Sequence, residues 1–455
     1  MTLALVAALV VAAPRAPADA ELSVYVPRLD AVEKVLPFFD TAGARSVMLR
    51  PASWREEAHP LLKVDVTSRE SLTQAGIDPA GSLTVTRKGV FSISCLTLAD
   101  VKKHQAASDE RLKRLGELST QTVGGVTIRS AKDQLGRVQA AYALKGAESC
   151  AISGFGNTVD KELPGLAKLL GANAAGLPGF KLAAELPGAA YFVWPDGKEP
   201  GAIAVSTSGL TLTLDGKSKG VPLLQLAGAG TSPFAQLAPP GMITLRLRVA
   251  KAAVPALLDQ VTRQLPNGGA LGPAATALAP MLTGNAALYV QAVKVTSGLR
   301  SVEQRFFALK LVLLAETSDP AQAKAALDAV DASKLATRLG AVEVGVQGST
   351  VWLSTDAAAR ELALKSLPAK ATAQAHAGEV AVDPALLAKG LSQVPLSEAV
   401  QNAELAGLLA VSAELGPLLL GSEKITGWLD GAGAQTHRAQ LTWALKQPAT
   451  DGGAR

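Results

Sequence analysis

Hydrophobic positions alternate strictly along MITLRLRV: Ile243, Leu245, Leu247 and Val249 fall on one side, Thr244, Arg246 and Arg248 on the other. A period of two predicts a strand with one buried and one wet face. Similar runs recur through the chain. The first half carries Leu22–Val26, LTVTR, VFSISCLTL, TVGGVTIRS, VQAAYAL, CAIS, AAYFVW, AIAVS and LTLTL; the second carries AALYVQAVKV, FFALKLVLL, VEVGV, TVWLS, GEVAVD, ITGWLD and RAQLTWAL. Between them the spacing becomes helical, in LDAVEKVLPFFD, Asp100–Gly116, Lys161–Leu170, AKAAVPALLDQV and AAARELALKSL. Asp319-Pro320 and Asp383-Pro384 each put a capping carboxylate ahead of a proline at the first helical position. Thr67-x-x-Glu70 has the spacing of a capping box.

One strand-to-helix unit occurs twice, over Val90–Gly116 and over Phe306–Gly340, and both copies end in Arg-Leu-Gly. The elements around it recur in the same order at a spacing of roughly 220 residues, far above the about 20–50 of solenoid repeats. The expected fold class is α+β: two duplicated modules, each a mainly antiparallel sheet with helices packed on one face. The expected limits are a signal peptide at 1–20, modules at 21–226 and 241–447, a linker at 227–240 (AGAGTSPFAQLAPP) and a disordered tail at 448–455.

The N-terminus bears on location. Leu3–Ala13 is an apolar stretch of eleven residues, too short for the about 20 that a spanning helix needs, and Ala18-Asp19-Ala20 is an A-x-A cleavage site. No Lys or Arg precedes the apolar run, and the competing reading is a buried first helix. Export to the periplasm or the exterior is expected, with no transmembrane span in the mature chain. In that setting the two cysteines gain meaning. Phe91, Ile93 and Cys95 share one strand face, as do Cys150 and Ile152, so both thiols point into a core. A Cys95–Cys150 disulfide is the expectation; two free buried thiols are the alternative.

Composition and motifs exclude more than they assign. Aromatics make up 4% of the chain, which leaves few stacking platforms for bases, and the net charge of +5 is dispersed. No nucleic-acid partner is expected. Gly216-Lys217-Ser218-Lys219-Gly220 spells G-x-S-x-G but stands between two strand-like runs, where a hairpin turn is expected rather than a nucleophile elbow. Thr211 occupies the place of the first P-loop glycine, and Gly154-Phe155-Gly156 lacks the third glycine of a dinucleotide fingerprint. His59, His104, His376 and His437 are scattered, without metal-ligand spacing. The Trp54–His59 run holds two carboxylates and an imidazole, and reads as a solvated loop before an acid–base site. No catalytic, cofactor or metal residue is assigned. The helix Asp100–Gly116 offers Lys102, Lys103, Arg111 and Lys113 as a partner contact, against the commoner reading of an exposed mixed-charge face. Glu404–Leu420, the most apolar long stretch, is expected to form an internal helix and strand.

GIDPAGSLTV, the D-P-A-Q-A-K helix start, AVDPALLAKGLS and ELGPLLLGSEKITGWLD resemble exported bacterial proteins of myxobacterial type, of domain-of-unknown-function families. The resemblance implies an envelope or secreted location and supplies no catalytic residue. The first expectation is therefore a non-enzymatic exported binding or scaffold protein with a protein or lipid partner in the cell envelope. The alternatives are a carrier of lipid or another hydrophobic ligand and a hydrolase of unrecognised type. A continuous apolar cavity under the helices, of a few hundred Å3, would favour the carrier; carboxylates or a His converging on Ser in a cleft would favour the hydrolase.

Overall fold

The computed structural model describes residues 13–46, 49, 59, 61–154, 158–195, 199–219, 225–264, 268–294, 308–330, 332–337, 340–393, 413–431 and 436–447. The chain divides into two units, residues 1–44 with 48–220 and residues 45–47 with 221–455. Each is built on an antiparallel sheet. The expected tail at 448–455 lies outside the described residues.

In the first unit the strands are β1 (Leu22–Val26), β2 (Leu83–Lys88), β3 (Phe91–Thr97), β4 (Glu117–Val123), β5 (Val126–Lys132), β6 (Val138–Lys145), β7 (Glu148–Ser153), β8 (Ala190–Trp194), β9 (Gly201–Ser208) and β10 (Thr211–Lys219). They pair in the order β4-β5-β6-β7-β3-β2-β1-β8-β9-β10, each neighbour antiparallel. The helices are α1 (Leu36–Gly43), α2 (Arg69–Gln74), α3 (Val101–Leu115), α4 (Leu163–Leu169) and α5 (Pro178–Ala183).

Helices cover both faces of this sheet, which corrects the expectation of one covered face. Leu83, Leu96, Tyr142 and Ala151 pack with Leu29, Leu72 of α2 and Leu112 of α3. On the opposite face Ile93, Cys95, Ala143 and Ile152 pack with Leu163, Leu166 and Leu169 of α4. The reason is in the central strands: β6 and β7 carry small or apolar residues at nearly every position, so neither face tolerates water. Close packing of α5 needs a glycine, because a Cβ on Gly179 would sit 2.1 Å from the Trp194 carbonyl oxygen.

Local capping follows the sequence in most places. Asp100 and Asp319 accept from the backbone N–H groups of Lys103 and Gln322. The cap of α2 differs: Ser68 accepts from Ser71 N, while Thr67 donates its hydroxyl to Asp65. Gly216–Lys219 is strand, paired with Ala202 and Gly201 among others, and not a turn. Residues 13–20, expected to leave with a signal peptide, lie against this unit. Arg15 pairs with Glu148 at 2.5 Å, Asp19 with Lys88 at 2.9 Å, and Ala16 is buried.

The second unit contains β11 (Gly230–Ser232), β12 (Ile243–Arg248), β13 (Leu282–Val293), β14 (Leu309–Thr317), β15 (Ala336–Thr337), β16 (Gly340–Ala341), β17 (Glu343–Gln347), β18 (Thr350–Ser354), β19 (Thr372–Gln374), β20 (Gly378–Val382), β21 (Ser422–Gly431) and β22 (Thr436–Leu445). Its main sheet runs β17-β18-β14-β13-β12-β20-β21-β22, again antiparallel throughout. The helices are α6 (Val254–Gln264), α7 (Gly272–Leu278), α8 (Pro320–Asp328), α9 (Ala357–Lys365) and α10 (Pro384–Leu391). The stretch expected as a linker at 227–240 is part of this unit's core. It forms β11, which pairs with β19, and buries Phe234 and Leu237 against Tyr289 and Ala359. No described helix is long and apolar enough to cross a membrane.

Cys95 and Cys150 stand directly opposite each other on β3 and β7, with sulfurs 2.09 Å apart. The bond closes a separation of 55 residues, for which chain entropy gives about 4 kcal/mol. A Cys95→Ala/Cys150→Ala variant is expected to lose about 2–4 kcal/mol in urea unfolding. An unchanged midpoint would show that the strand pairs on either side already fix this geometry.

Candidate functional site

The sheet of the second unit has two unlike faces, both written in its alternation. One carries Arg246, Glu379, Trp428, Asp430 and Gln440. Arg246 pairs with Glu379 at 3.0 Å, each side chain about one-sixth exposed (17%). The other is aliphatic. Cross-strand register lines up Leu245, Leu288, Leu313, Leu353 and Val344 in one row over β12, β13, β14, β18 and β17. The adjacent row is Leu247, Ala286, Ala315, Val351 and Val346. Burial along β12 reverses the simple expectation from MITLRLRV: Thr244 is buried, whereas Leu245 and Leu247 are only half-buried.

These half-buried residues line a cavity of about 290 Å3. Its roof is α6, with Leu257, Leu258 and Val261, and α7, with Leu278; Leu271, in the turn before α7, and Leu327 of α8 complete it. The side chains on α6 that face it, Leu257, Leu258 and Val261, are themselves half-exposed. The roof therefore spans the floor without closing onto it. The lining includes one hydroxyl, Thr262, which donates within its own helix to the carbonyls of Leu258 and Asp259. No charged side chain lines the cavity. At one edge of the floor, β13 bulges between Leu282 and Ala286. Gly284 takes φ +97 there, with the Val249 carbonyl oxygen 2.1 Å from where a Cβ would lie. Glu316 holds the bulge by accepting from Thr283 Oγ1 and Asn285 Nδ2, both at 2.7 Å.

The cavity has a chemical meaning because of what it omits. With no charged side chain and one hydroxyl already bonded within its own helix, the described lining offers little to orient a polar reactant. It can remove an aliphatic group from water. Sequence reasoning did not locate it, since a leucine row reads the same whether a helix packs onto it or stands off.

The residues singled out in the sequence are dispersed. On α3, Lys102, Lys103 and Lys113 are exposed and Arg111 is half-buried, and none of the four side chains has an ion pair among the described residues. Ser218 lies on β10, and its neighbour Lys217 pairs with Glu185. Glu56 and Glu57 lie outside the described residues, as do Phe155–Asn157 and 404–412. Residues 413–420 are helical and bury Leu418 and Leu419. His376 Nδ1 is 2.7 Å from Asp430, and its ring stacks on Trp428 at 4.3 Å. His437 is half-buried on β22. Among the described residues, no three His, Cys, Asp or Glu gather to hold a metal.

One constellation was missed altogether. His59 and His104, separated by 45 positions, meet edge to face at 5.9 Å, and His104 meets Tyr142 in the same way at 6.2 Å. His104 Nε2 is 2.9 Å from Ser149 Oγ. Tyr142 donates to Asp109 at 2.6 Å, and Arg129 Nε lies 2.8 Å from the same carboxylate oxygen. His59 Nδ1 accepts from the backbone of Leu61 and Leu62, so a second proton could be added there only by breaking both bonds. Burial pushes His59 down to about 3, with His104 adding to the effect. Burial pushes His104 down to about 4, against the opposing pull of the Ala75 carbonyl. The pair is a buried, neutral plug beneath α3.

Neutral burial fixes the sign of a pH effect. Below the ordinary pKa of 6.5 the unfolded chain takes up protons that the folded one refuses, down to about pH 4. Stability is full above pH 6.5 and falls on acidification. Between pH 7.5 and 5.5 the two histidines are expected to cost together about 2–3 kcal/mol. Urea midpoints at both pH values measure it, and His59→Gln or His104→Gln should each remove about half of the slope.

No family model, curated protein or solved structure matches the chain.

Proposed function

We propose that the protein is an exported, non-enzymatic binding protein of the cell envelope whose second unit carries a hydrophobic ligand. The single observation that carries this reading is the cavity of about 290 Å3 lined by aliphatic side chains apart from Thr262 and Trp352, with no charged group. Its volume stands at the lower edge of the about 300–1,000 Å3 typical of small-molecule sites. The scaffold and hydrolase alternatives have no comparable support. Export rests on the N-terminal apolar stretch and on the cysteine pair at bonding distance.

We infer also that the two units are copies of one module. The support is the strand path: β6-β7-β3-β2-β1-β8-β9-β10 in the first unit follows the same route as β17-β18-β14-β13-β12-β20-β21-β22 in the second. In each, an Asp-capped helix leaves the third strand of the series, α3 after β3 and α8 after β14. The hairpin β4–β5 extends the first unit's sheet, whereas the hairpin at the same place in the second unit, β15–β16, is a two-residue pair apart from the main sheet.

Native mass spectrometry of protein purified from its own compartment should give a mass raised by an extractable apolar compound. Ala315→Phe, which places a ring in the middle of the cavity floor, should abolish that adduct while leaving the urea midpoint within about 1 kcal/mol. A clean apo mass, together with no uptake of a linear polyene fatty acid by wild type, would overturn the carrier reading.

A further inference from the structure

The shape of the cavity narrows what it holds; this step rests on the carrier reading above. Its floor crosses five adjacent strands, from Leu245 and Leu247 on β12 to Val344 on β17. Four inter-strand steps at about 4.8 Å make a trough about 19 Å long. The row Leu247, Ala286, Ala315 and Val351 has its smallest side chains in the middle, beside the taller row Leu245, Leu288, Leu313 and Leu353. The strip of small side chains is one residue row wide and is bounded on one side by the leucine row, so the trough is long and narrow and matches one extended hydrocarbon chain better than a fused ring system.

From this geometry we propose that the ligand is a single unbranched aliphatic chain lying across the strands, with its polar end left in solvent. A carbon–carbon bond of about 1.5 Å advances an extended chain by about 1.25 Å per carbon, so the trough accepts about 14–16 carbons. The polar end stays outside because the only hydroxyl in the lining, on Thr262, already donates to the carbonyls of Leu258 and Asp259. Burying a carboxylate or alcohol there would leave it without a partner. The chain, not the head group, is what the site measures.

The test is competition against a bound linear polyene fatty acid, using saturated fatty acids of 8 to 18 carbons, the matching primary alcohols, and cholesterol. Affinity should rise with length to a plateau near 14–16 carbons. Alcohols should bind within about threefold of acids of equal length, and cholesterol should bind at least tenfold more weakly than hexadecanoate. Val344→Phe closes the β17 end of the trough and should shorten the plateau by about four carbons, one strand's width. Ala286→Val narrows the trough at mid-length and should weaken every chain without moving the plateau. Cholesterol competing as well as hexadecanoate, or a plateau unmoved by Val344→Phe, would overturn the single-chain inference and leave the carrier reading standing. Failure of the polyene probe to bind wild type at all would instead remove the carrier reading itself.

Discussion

The architecture of each unit turns on how a helix row meets an aliphatic sheet face. A strand with leucine at every second position must bury that side against something, and the depth of the covering helices decides whether the result is core or hollow. In the first unit α3 runs fifteen residues and lowers His104, Ser108 and Leu112 onto the sheet. In the second, α8 is nine residues long and offers Ala323 and Leu327. An alanine face cannot reach a floor of Ala286 and Ala315, and α6 and α7 bridge over what remains. The cavity is the volume left between the leucines of that roof and the Ala286–Ala315 strip of the floor.

Such a space is expensive. At about 24 cal/mol per Å3, a closed void of about 290 Å3 would cost about 7 kcal/mol, comparable with the whole stability of many domains. The opposite face of the same sheet supplies rigidity that the hollow side does not. There Arg246 is paired with Glu379, Asp430 accepts from both His376 and the Ala377 backbone, and α9 buries Ala359 and Ala363 against Val312 and Leu314. One wall is fixed by charge pairs and packing, the other by the reach of two helices. Filling the cavity therefore requires no change in the sheet.

Much of the scaffold was legible from residue order. Period-two alternation placed most strands within a residue or two, Asp100 and Asp319 marked their helix starts, and shared strand faces brought Cys95 to Cys150. The misses share a physical cause. Small residues report poorly on their surroundings: glycine, alanine and serine have the composition of turns and linkers even where they allow close approach. Gly216 and Ser218 lie within β10, and the Ala- and Gly-rich run at 227–240 contributes β11 and two fully buried side chains, Phe234 and Leu237. Covering both faces of the first sheet went unseen for the same reason, since Ala141 and Ala143 on one side and Ala140 and Ala151 on the other do not announce a core. The His59–His104 contact was beyond sequence reasoning because it joins a loop to a helix with no periodic relation between them.

The contrast between the units also bears on why a polar cluster and a hollow occupy related places in the two sheets. Beneath α3 the space is taken by imidazole, phenol and hydroxyl groups that satisfy one another: His104 with Ser149, Tyr142 with Asp109, Asp109 with Arg129. A polar plug of this kind is stable only while the histidines stay neutral, so it takes up a proton only at a loss. The corresponding face of the second unit has no such partners to satisfy. A mainly aliphatic lining interacts with a guest chiefly through contact area, and contact area is what a hydrocarbon chain provides. On the duplication and carrier readings proposed above, one copy filled its covered face with a polar cluster and the other left it open to a ligand.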